Sequence, residues 1–294
     1  MTKIVCFGEV LWDVFPNGDK KIGGAPLNVA LRLSAFQNEV AMVSAVGQDD
    51  NGKIILDYLE KNKVSSSFIQ KKEDFNTGEV SVKLNKKGSA TYDIVYPSAW
   101  DKIELTEDLK SLVTSADALV FDSLVTRDEI SKNTLRSLLR LSSFKVFDVN
   151  LRPPHYSNDI LIKLMEQSDF IKFNDEELYE IADYLKSKYN ALEQNLLFIA
   201  EKTNTSQICV TKGEHGAVLL INGKLYYNSG YKIKVKDTVG AGDSFLGTLL
   251  SQLLNGVNPQ KAIDIACGVG ALVAQSEGAN PKLSKDEINA FINP

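Results

Sequence analysis

The chain has 294 residues, 44% of them hydrophobic and 24% charged, the profile of an ordinary folded protein long enough for one large domain or two small ones. A net charge of -5 and a pI near 5.3 leave no excess of positive charge to meet phosphates in bulk, which argues against a nucleic-acid or membrane-surface binder. The basic residues Lys71, Lys72, Lys83, Lys86 and Lys87 are interrupted by acids and strand-like runs and read as a solvated face.

The opening segment "KIVCFGEV" (3–10) reads as a buried strand. No long apolar core or small-residue cleavage site precedes it, so no signal peptide is expected. "LNVALRLSAF" (27–36) reads as a helix and "VAMVSAVG" (40–47) as a strand. "NGKIILDYLEKN" (51–62) carries Ile54, Ile55, Tyr58 and Leu59 at helical spacing. From about 66 to 100 the text is strand-like without helices: "SSFIQ", "GEVSVKLN" and "SATYDIVYP". The "NKKG" stretch (85–88) signals a hairpin turn. Together with "WDVFP" (12–16) these runs predict a small antiparallel sheet. The expected layout is a single domain over 1–294, with lid segments at about 12–22 and 66–100 inserted in it. Such a lid can close over a ligand and exclude water, and its exposed edge can supply a homodimer contact.

Strand candidates at 118–124, 145–151, 169–174 and 207–213 then alternate with helical patterns near 128–141, 158–167, 175–187 and 191–203. That alternation predicts parallel pairing and an α/β layer with helices on both faces. Apolar helices follow at 244–256 and 258–278, and a terminal surface helix at 284–292 is capped by Ser284. Cys6, Cys209 and Cys267 are far apart and odd in number, which suits free thiols in a reducing compartment. No apolar stretch approaches the ~18 residues needed to span a bilayer, so the cytoplasm is the expected location. His155 and His215 show no metal-ligand spacing, which leaves a zinc site or a Ser-His-Asp triad poorly supported.

The stretch "DTVGAGDSF" (237–245) carries the chemistry. A helix start exposes unpaired N–H groups and about half a positive charge, and glycines there admit a ligand closely. Residues 240–243 thus read as donors to an anion. Neither G-x-x-x-x-G-K-[ST] nor G-x-G-x-x-G occurs in the chain. Asp243 has two readings. It is a helix-start acid favoured by the dipole, or it is a general base beside the anion hole. A base there takes the proton of an alcohol attacking a phosphoryl group, help worth about 10²–10⁴-fold in rate.

"DTVGAGDSF" resembles the C-terminal signature of the ribokinase-like (PfkB-type) sugar kinases. "IGGAPLNVA" (22–30) resembles their N-terminal Gly-Gly signature, in the form common among fructokinases. "GEVLWD" (8–13), "FDSLVTR" (121–127), "FDVNLR" (147–152), "NDEE" (174–177) and "VTKGEHGA" (210–217) fall in the family's order, so the resemblance spans essentially the whole chain. It implies a doubly wound, mostly parallel α/β domain with a small β lid. The implied reaction transfers the γ-phosphate of ATP to a sugar hydroxyl with Mg²⁺. By resemblance Asp243 is the base, and the N–H groups of Gly240, Ala241, Gly242 and Asp243 form the anion hole.

Asp13, Gly23, Gly24 and Asn28 match sugar-binding positions. Asp13 can accept from two hydroxyls, and Asn28 can both donate and accept. Arg152 matches a position that meets a phosphate or the sugar. Asn174 and Glu177 match the Asn-x-x-Glu motif, which helps hold Mg²⁺ and phosphate through water. Thr211 and Gly213 match a nucleotide-side loop, and Asp237 opens a loop matching a monovalent-cation (K⁺) site. Plainer readings stand beside these: a turn for Gly23–Gly24, a helix-start polar residue for Asn28 and Glu177, a surface arginine for Arg152. Fructose is the first expected acceptor, then 2-keto-3-deoxygluconate, whose kinases share an "NLR"-like stretch, then ribose. A non-catalytic sugar or nucleotide sensor on the same scaffold is the competing class, disfavoured by the presence of Asp243. The chain departs from the family at Asp122, where fructokinases usually show Gly. The lid stretch "ATYDIVYPSAW" (90–100) also lacks an arginine often found after its aromatic. Tyr92, Tyr96 and Trp100 read equally as sugar covers or as lid core.

Overall fold

The computed structural model describes residues 1–84 and 90–293, and their side chains except at 82–84 and 90–92. The 85–88 turn and the Tyr92 side chain lie outside the described residues. The chain opens with β1 (Lys3–Phe7), then turns away through the hairpin of β2 (Leu11–Val14) and β3 (Lys20–Gly23) before α1 (Ala25–Ala35). β4 (Glu39–Gly47), α2 (Asp50–Lys61) and β5 (Ser65–Lys72) return to the main layer, and β6 (Gly78–Leu84) and β7 (Ala90–Ile94) leave it again. α3 (Glu107–Thr114), β8 (Ala118–Asp122), α4 (Glu129–Leu139), β9 (Lys145–Asp148) and α5 (Asn158–Glu166) follow. Next come β10 (Phe170–Asn174), α6 (Asp175–Tyr184), α7 (Leu192–Thr203) and β11 (Gln207–Thr211). The β12 (Ala217–Ile221) and β13 (Lys224–Asn228) hairpin precedes α8 (Ala241–Leu254), α9 (Pro259–Ala274) and α10 (Lys285–Ile292).

Among the described residues the large sheet has nine strands in the order β13-β12-β11-β10-β9-β8-β1-β4-β5. It is parallel from β11 to β5, with β12 and β13 antiparallel at one edge. Both faces are covered. Val5, Phe7, Leu119 and Phe121 join a core shared with α3 to α7, while Ile4, Cys6, Ala118 and Val120 join one shared with α1, α2, α8 and α9. Burial on both faces is why these strands read as continuous apolar runs instead of alternating ones. The chain winds outward from β1 to β5, then restarts at β8 on the other side of β1. In open α/β sheets ligands bind beyond the carboxyl ends of strands at such a switch point.

The small sheet runs β3-β2-β6-β7. The 66–70 run, expected in the lid, instead lies in β5, which pairs in parallel with β4 at the edge of the large sheet. An edge strand exposed on one side shows the same two-residue alternation as a lid strand, so periodicity could not separate them. The β12–β13 hairpin went unread, although Asn222 and Gly223 mark it. Both residues sit at positive φ, 49° and 80°, as a two-residue turn that matches strand twist requires.

Trp100 is fully buried with Leu11, Val80, Ile94 and Leu124, so it is lid core. Tyr96 is more than half exposed and donates from its hydroxyl to Asp128 at 3.0 Å. The Arg127 guanidinium lies 4.0 Å over the Trp100 ring and donates to both Asp101 oxygens at 2.7 Å and to the Val95 carbonyl at 2.7 Å. Arg127 thereby fastens the end of β7 to the turn after β8. Both charged side chains are almost entirely buried, and removing one partner of such a pair leaves the other charge stranded. Arg127→Met is expected to lower stability by about 3–5 kcal/mol in urea unfolding. A loss within experimental error would contradict this anchoring.

Candidate functional site

α8 begins three residues earlier than its apolar pattern suggests, so the small residues of the 237–245 motif form its first turn. Gly240 is the N-cap, at φ 73° in the left-handed region, and a Cβ there would collide with Ala279. Only glycine meets both conditions. Of the four N–H groups expected in the anion hole, that of Ala241 turns back to the Thr238 carbonyl at 3.2 Å. Among the described residues the N–H groups of Gly240, Gly242 and Asp243 have no acceptor. The donor set is therefore three groups, with Ala241 shaping the turn.

Asp243 keeps part of its surface exposed, though protein surrounds its carboxyl on most sides. Burial raises its pKa, while the Asn28 hydrogen bond and the charges of Lys172 and Arg152 oppose that rise. The bond from Asn28 Nδ2 to Asp243 Oδ2 is 2.8 Å, and Asn280 Nδ2 holds Asn28 Oδ1 at 2.7 Å. The asparagine chain thus fixes both amide orientation and carboxylate rotamer across α1, α8 and the 280 loop.

The Gly23–Gly24 turn is wedged between two acids. A Cβ at 23 would strike the Asp13 carboxylate, and Gly24, at φ 117°, would strike the Glu9 carbonyl. Burial pushes Asp13 up to about 6; Asp243 adds to the rise, and Arg152 and Lys21 counter it. Arg152 donates to the Leu151 carbonyl at 2.9 Å. Its charge acts on Glu9, Asp13, Asp122 and Asp243 together. Asp13, Gly23, Gly24, Asn28, Arg152 and Asp243 therefore gather in one place, at the switch between β1 and β8.

Asn174 and Glu177 form a capping box at the start of α6. Glu177 Oε2 accepts from the Asn174 N–H at 2.8 Å and Oε1 from the Leu151 N–H at 2.9 Å. The carboxylate therefore joins α6 to the segment carrying Arg152. Thr211 sits beside Asn174 in strand register, and Gly213 lies two residues on at φ 55° with open space around it. Asp237 accepts from the N–H groups of Val239 and Gly278 at 3.0 and 3.2 Å, and Lys21 Nζ stands 3.9 Å from its Oδ2. Each Asp237 oxygen thus accepts one N–H, and the side chain stays partly exposed.

Two charged residues escaped the sequence reading. Lys172 on β10 and Asp148 on β9 are register partners joined at 3.0 Å, both buried. Lys172 Nζ lies 3.6 Å from where a Gly242 Cβ would be, which puts an ammonium beside the free N–H groups. Burial works against that charge, but Asp148, Glu177 and Asp243 outweigh it and raise its pKa. Burial pushes Asp148 up to about 7 against the pull of Lys172. A lysine inside the apolar run "DFIKFN" was the available signal, since a buried charge needs a partner.

The α/β layer, the small second sheet and the carboxylate in a helix start with open N–H groups together match a sugar-kinase scaffold. The chain belongs to the pfkB family of carbohydrate kinases, whose model matches residues 1–286. It is 27% identical to the fructokinase of Vibrio alginolyticus, over 99% of each chain. The fructokinase of Vibrio cholerae O395, solved with fructose, ADP and calcium ion bound, superposes at a TM-score of 0.85 with 25% identity, covering 100% of this chain and 99% of the other. Aminoimidazole riboside kinase from Salmonella enterica, 22% identical, shares the fold at a TM-score of 0.83 over 99% of this chain and 100% of its own.

The buried Asp13 charge sets a pH dependence. Its folded pKa near 6 exceeds the unfolded 3.8, so ionising it costs the folded state more than the unfolded one. That cost is absent below about pH 4 and complete above about pH 6. Asp13→Asn is therefore expected to be more stable than wild type at pH 8, by roughly 1–3 kcal/mol, with the gain gone at pH 4. Thermal melting at both pH values measures it; equal melting at pH 8 would contradict the assignment.

Proposed function

We propose that this chain is an ATP-dependent kinase that phosphorylates a sugar hydroxyl, with fructose as the leading acceptor. One observation carries the reading: the Asp243 carboxylate stands in the same helical turn as N–H groups with no acceptor among the described residues. An acid that served only the helix start would turn back to cap those N–H groups, whereas no side chain caps α8 and the Asp243 carboxylate is held across to α1 by Asn28. The Asp13, Gly23, Gly24 and Asn28 cluster leads from that turn towards the lid and suits the acceptor, and the fructokinase relatives support fructose. Three free, buried cysteines agree with work in the cytoplasm.

In this mechanism Asn28 holds Asp243 while its other oxygen accepts the proton of the attacking hydroxyl. The elevated pKa of Asp243 makes it a better acceptor than an exposed aspartate. The N–H groups of Gly240, Gly242 and Asp243 face charge developing on the transferred group, in a setting where fixed donors need no reorganisation. Lys172 adds a positive charge on the nucleotide side. Arg152 balances the carboxylates around the acceptor. Asn174, Thr211 and Gly213 border the nucleotide. Glu177, with both oxygens already accepting backbone N–H groups, fits a role through water, and Mg²⁺ so held would neutralise charge on the β- and γ-phosphates.

A coupled ADP-release assay over a panel of sugars with Mg-ATP tests the reading, which fails if no sugar or nucleoside supports turnover. Asp243→Asn is expected to lower kcat by about 10²–10⁴-fold while ATP affinity stays near wild type and the melting temperature does not fall. A near-normal kcat would remove the base assignment. Lys172→Met is expected to lower kcat by about 10²-fold or more, with the KM for sugar changed little. A purely sugar-side effect would contradict its placement.

A further inference from the structure

The loop 278–281, between α9 and α10, is tied to both helices that carry the site. Gly278 donates its N–H to Asp237 Oδ2 at 3.2 Å, and Ala279 fills the space where a Gly240 side chain would stand. The Ala279 carbonyl accepts from Ser244 Oγ at 3.4 Å. Arg32, one turn beyond Asn28 on α1, donates from Nε to Ser244 Oγ and from Nη2 to the Pro281 carbonyl, each at 3.2 Å. Arg32 is 3% exposed, burial lowers its pKa to about 10, and no carboxylate pairs with it among the described residues. Within this clamp Asn280 Nδ2 donates to Asn28 Oδ1 at 2.7 Å, while its own Oδ1 is buried with no partner among the described residues. An unpaired buried charge and an unmet buried acceptor both cost stability, so stability alone does not account for this arrangement.

The hydrogen bonds also have a direction. An ionised carboxylate only accepts, so Asn28 must turn its Nδ2 to Asp243, as it does at 2.8 Å. Its Oδ1 then faces the loop and calls for a donor there. Asn280 supplies one, whereas an aspartate of the same shape would offer a second acceptor and draw Asn28 Nδ2 away from Asp243. We propose that Asn280 is a positioning residue for phosphoryl transfer: through Asn28 it fixes how the Asp243 carboxylate is turned, leaving Oδ1 for the attacking hydroxyl. This inference rests on the kinase reading above and deepens it. The charged groups acting on Asp243 are Lys172 on β10, Asp148 on β9, Arg152 after β9 and Asp13 on β2; none belongs to the loop.

The test compares wild type, Asn280→Asp and Asn280→Ala with Mg-ATP and the best sugar of the panel. Asn280→Asp is expected to lower kcat by about 10-fold or more, with the KM for ATP within about 3-fold of wild type. Asn280→Ala, which removes the donor without reversing it, is expected to lose less. A side chain that merely fills space would rank the two the other way, since aspartate has the shape of asparagine. A carboxyl-carbon NMR titration of Asp243 reads the same contact without turnover, and its midpoint is expected to rise by about one pH unit in Asn280→Asp. Circular dichroism checks folding; should the Asp variant unfold, the Ala variant decides by a lowered kcat at unchanged ATP KM. The proposal is overturned if the folded Asp variant keeps kcat within about 3-fold of wild type, if Ala loses more than Asp, or if the Asp243 midpoint stays in place. Failure of the kinase reading looks different: wild type then releases ADP with no acceptor, and the titration still decides the role of Asn280.

Discussion

The hydrogen bond from Asn28 to Asp243, 2.8 Å long and spanning 215 residues of sequence, is the contact through which the two halves of the site know of each other. It joins α1, entered by the Gly23–Gly24 turn, to α8, entered by the glycine-rich motif. Those two helices pack side by side on one face of the sheet, in the core that also holds Leu27, Phe245 and Leu249. The packing sets the distance between the helix starts, and the amide fixes how the carboxylate is turned. A carboxylate left to rotate freely beside an anion hole would repel the anion; one held by an amide can face the incoming alcohol instead.

The surrounding electrostatics follow from the same constraint. Binding a polyanion and a proton acceptor side by side requires negative and positive charges in alternation, all in a setting of low dielectric. Along the sheet ends the order is Lys172 with Asp148, then Asp243, then Arg152 with Asp13, Glu9 and Asp122. Burial raises each of those aspartates, so holding them ionised costs the fold stability. That is the usual exchange of stability for function at an active site.

Much of this was legible in the sequence. Parallel strands buried on both faces announce themselves as unbroken apolar runs, and "KIVCF" and "ALVFD" needed no tertiary knowledge to place. β5 was misassigned because an edge strand of the large sheet and a lid strand obey the same alternation. In the site, the residues that the structure brings together as expected were those inside short motifs, where one helix turn fixes their relation. Lys172, Asp148 and Glu9 depend on neighbouring strands meeting at their carboxyl ends. Asn280 depends on a contact 252 residues away. The sequence also could not reveal that the Ala241 N–H is spent on its own turn, since that follows from the left-handed conformation of Gly240.

The central claim is geometric: one oxygen of Asp243 meets the attacking hydroxyl while the N–H groups of Gly240, Gly242 and Asp243 meet the migrating phosphoryl group. A crystal structure with sugar, Mg-ADP and aluminium fluoride in place of that group would test it most directly. The account predicts a sugar oxygen within hydrogen-bonding distance of the Asp243 carboxylate and fluorines on the free N–H groups. An Asp243 side chain turned away from the sugar, with the fluoride complex bound elsewhere, would contradict it.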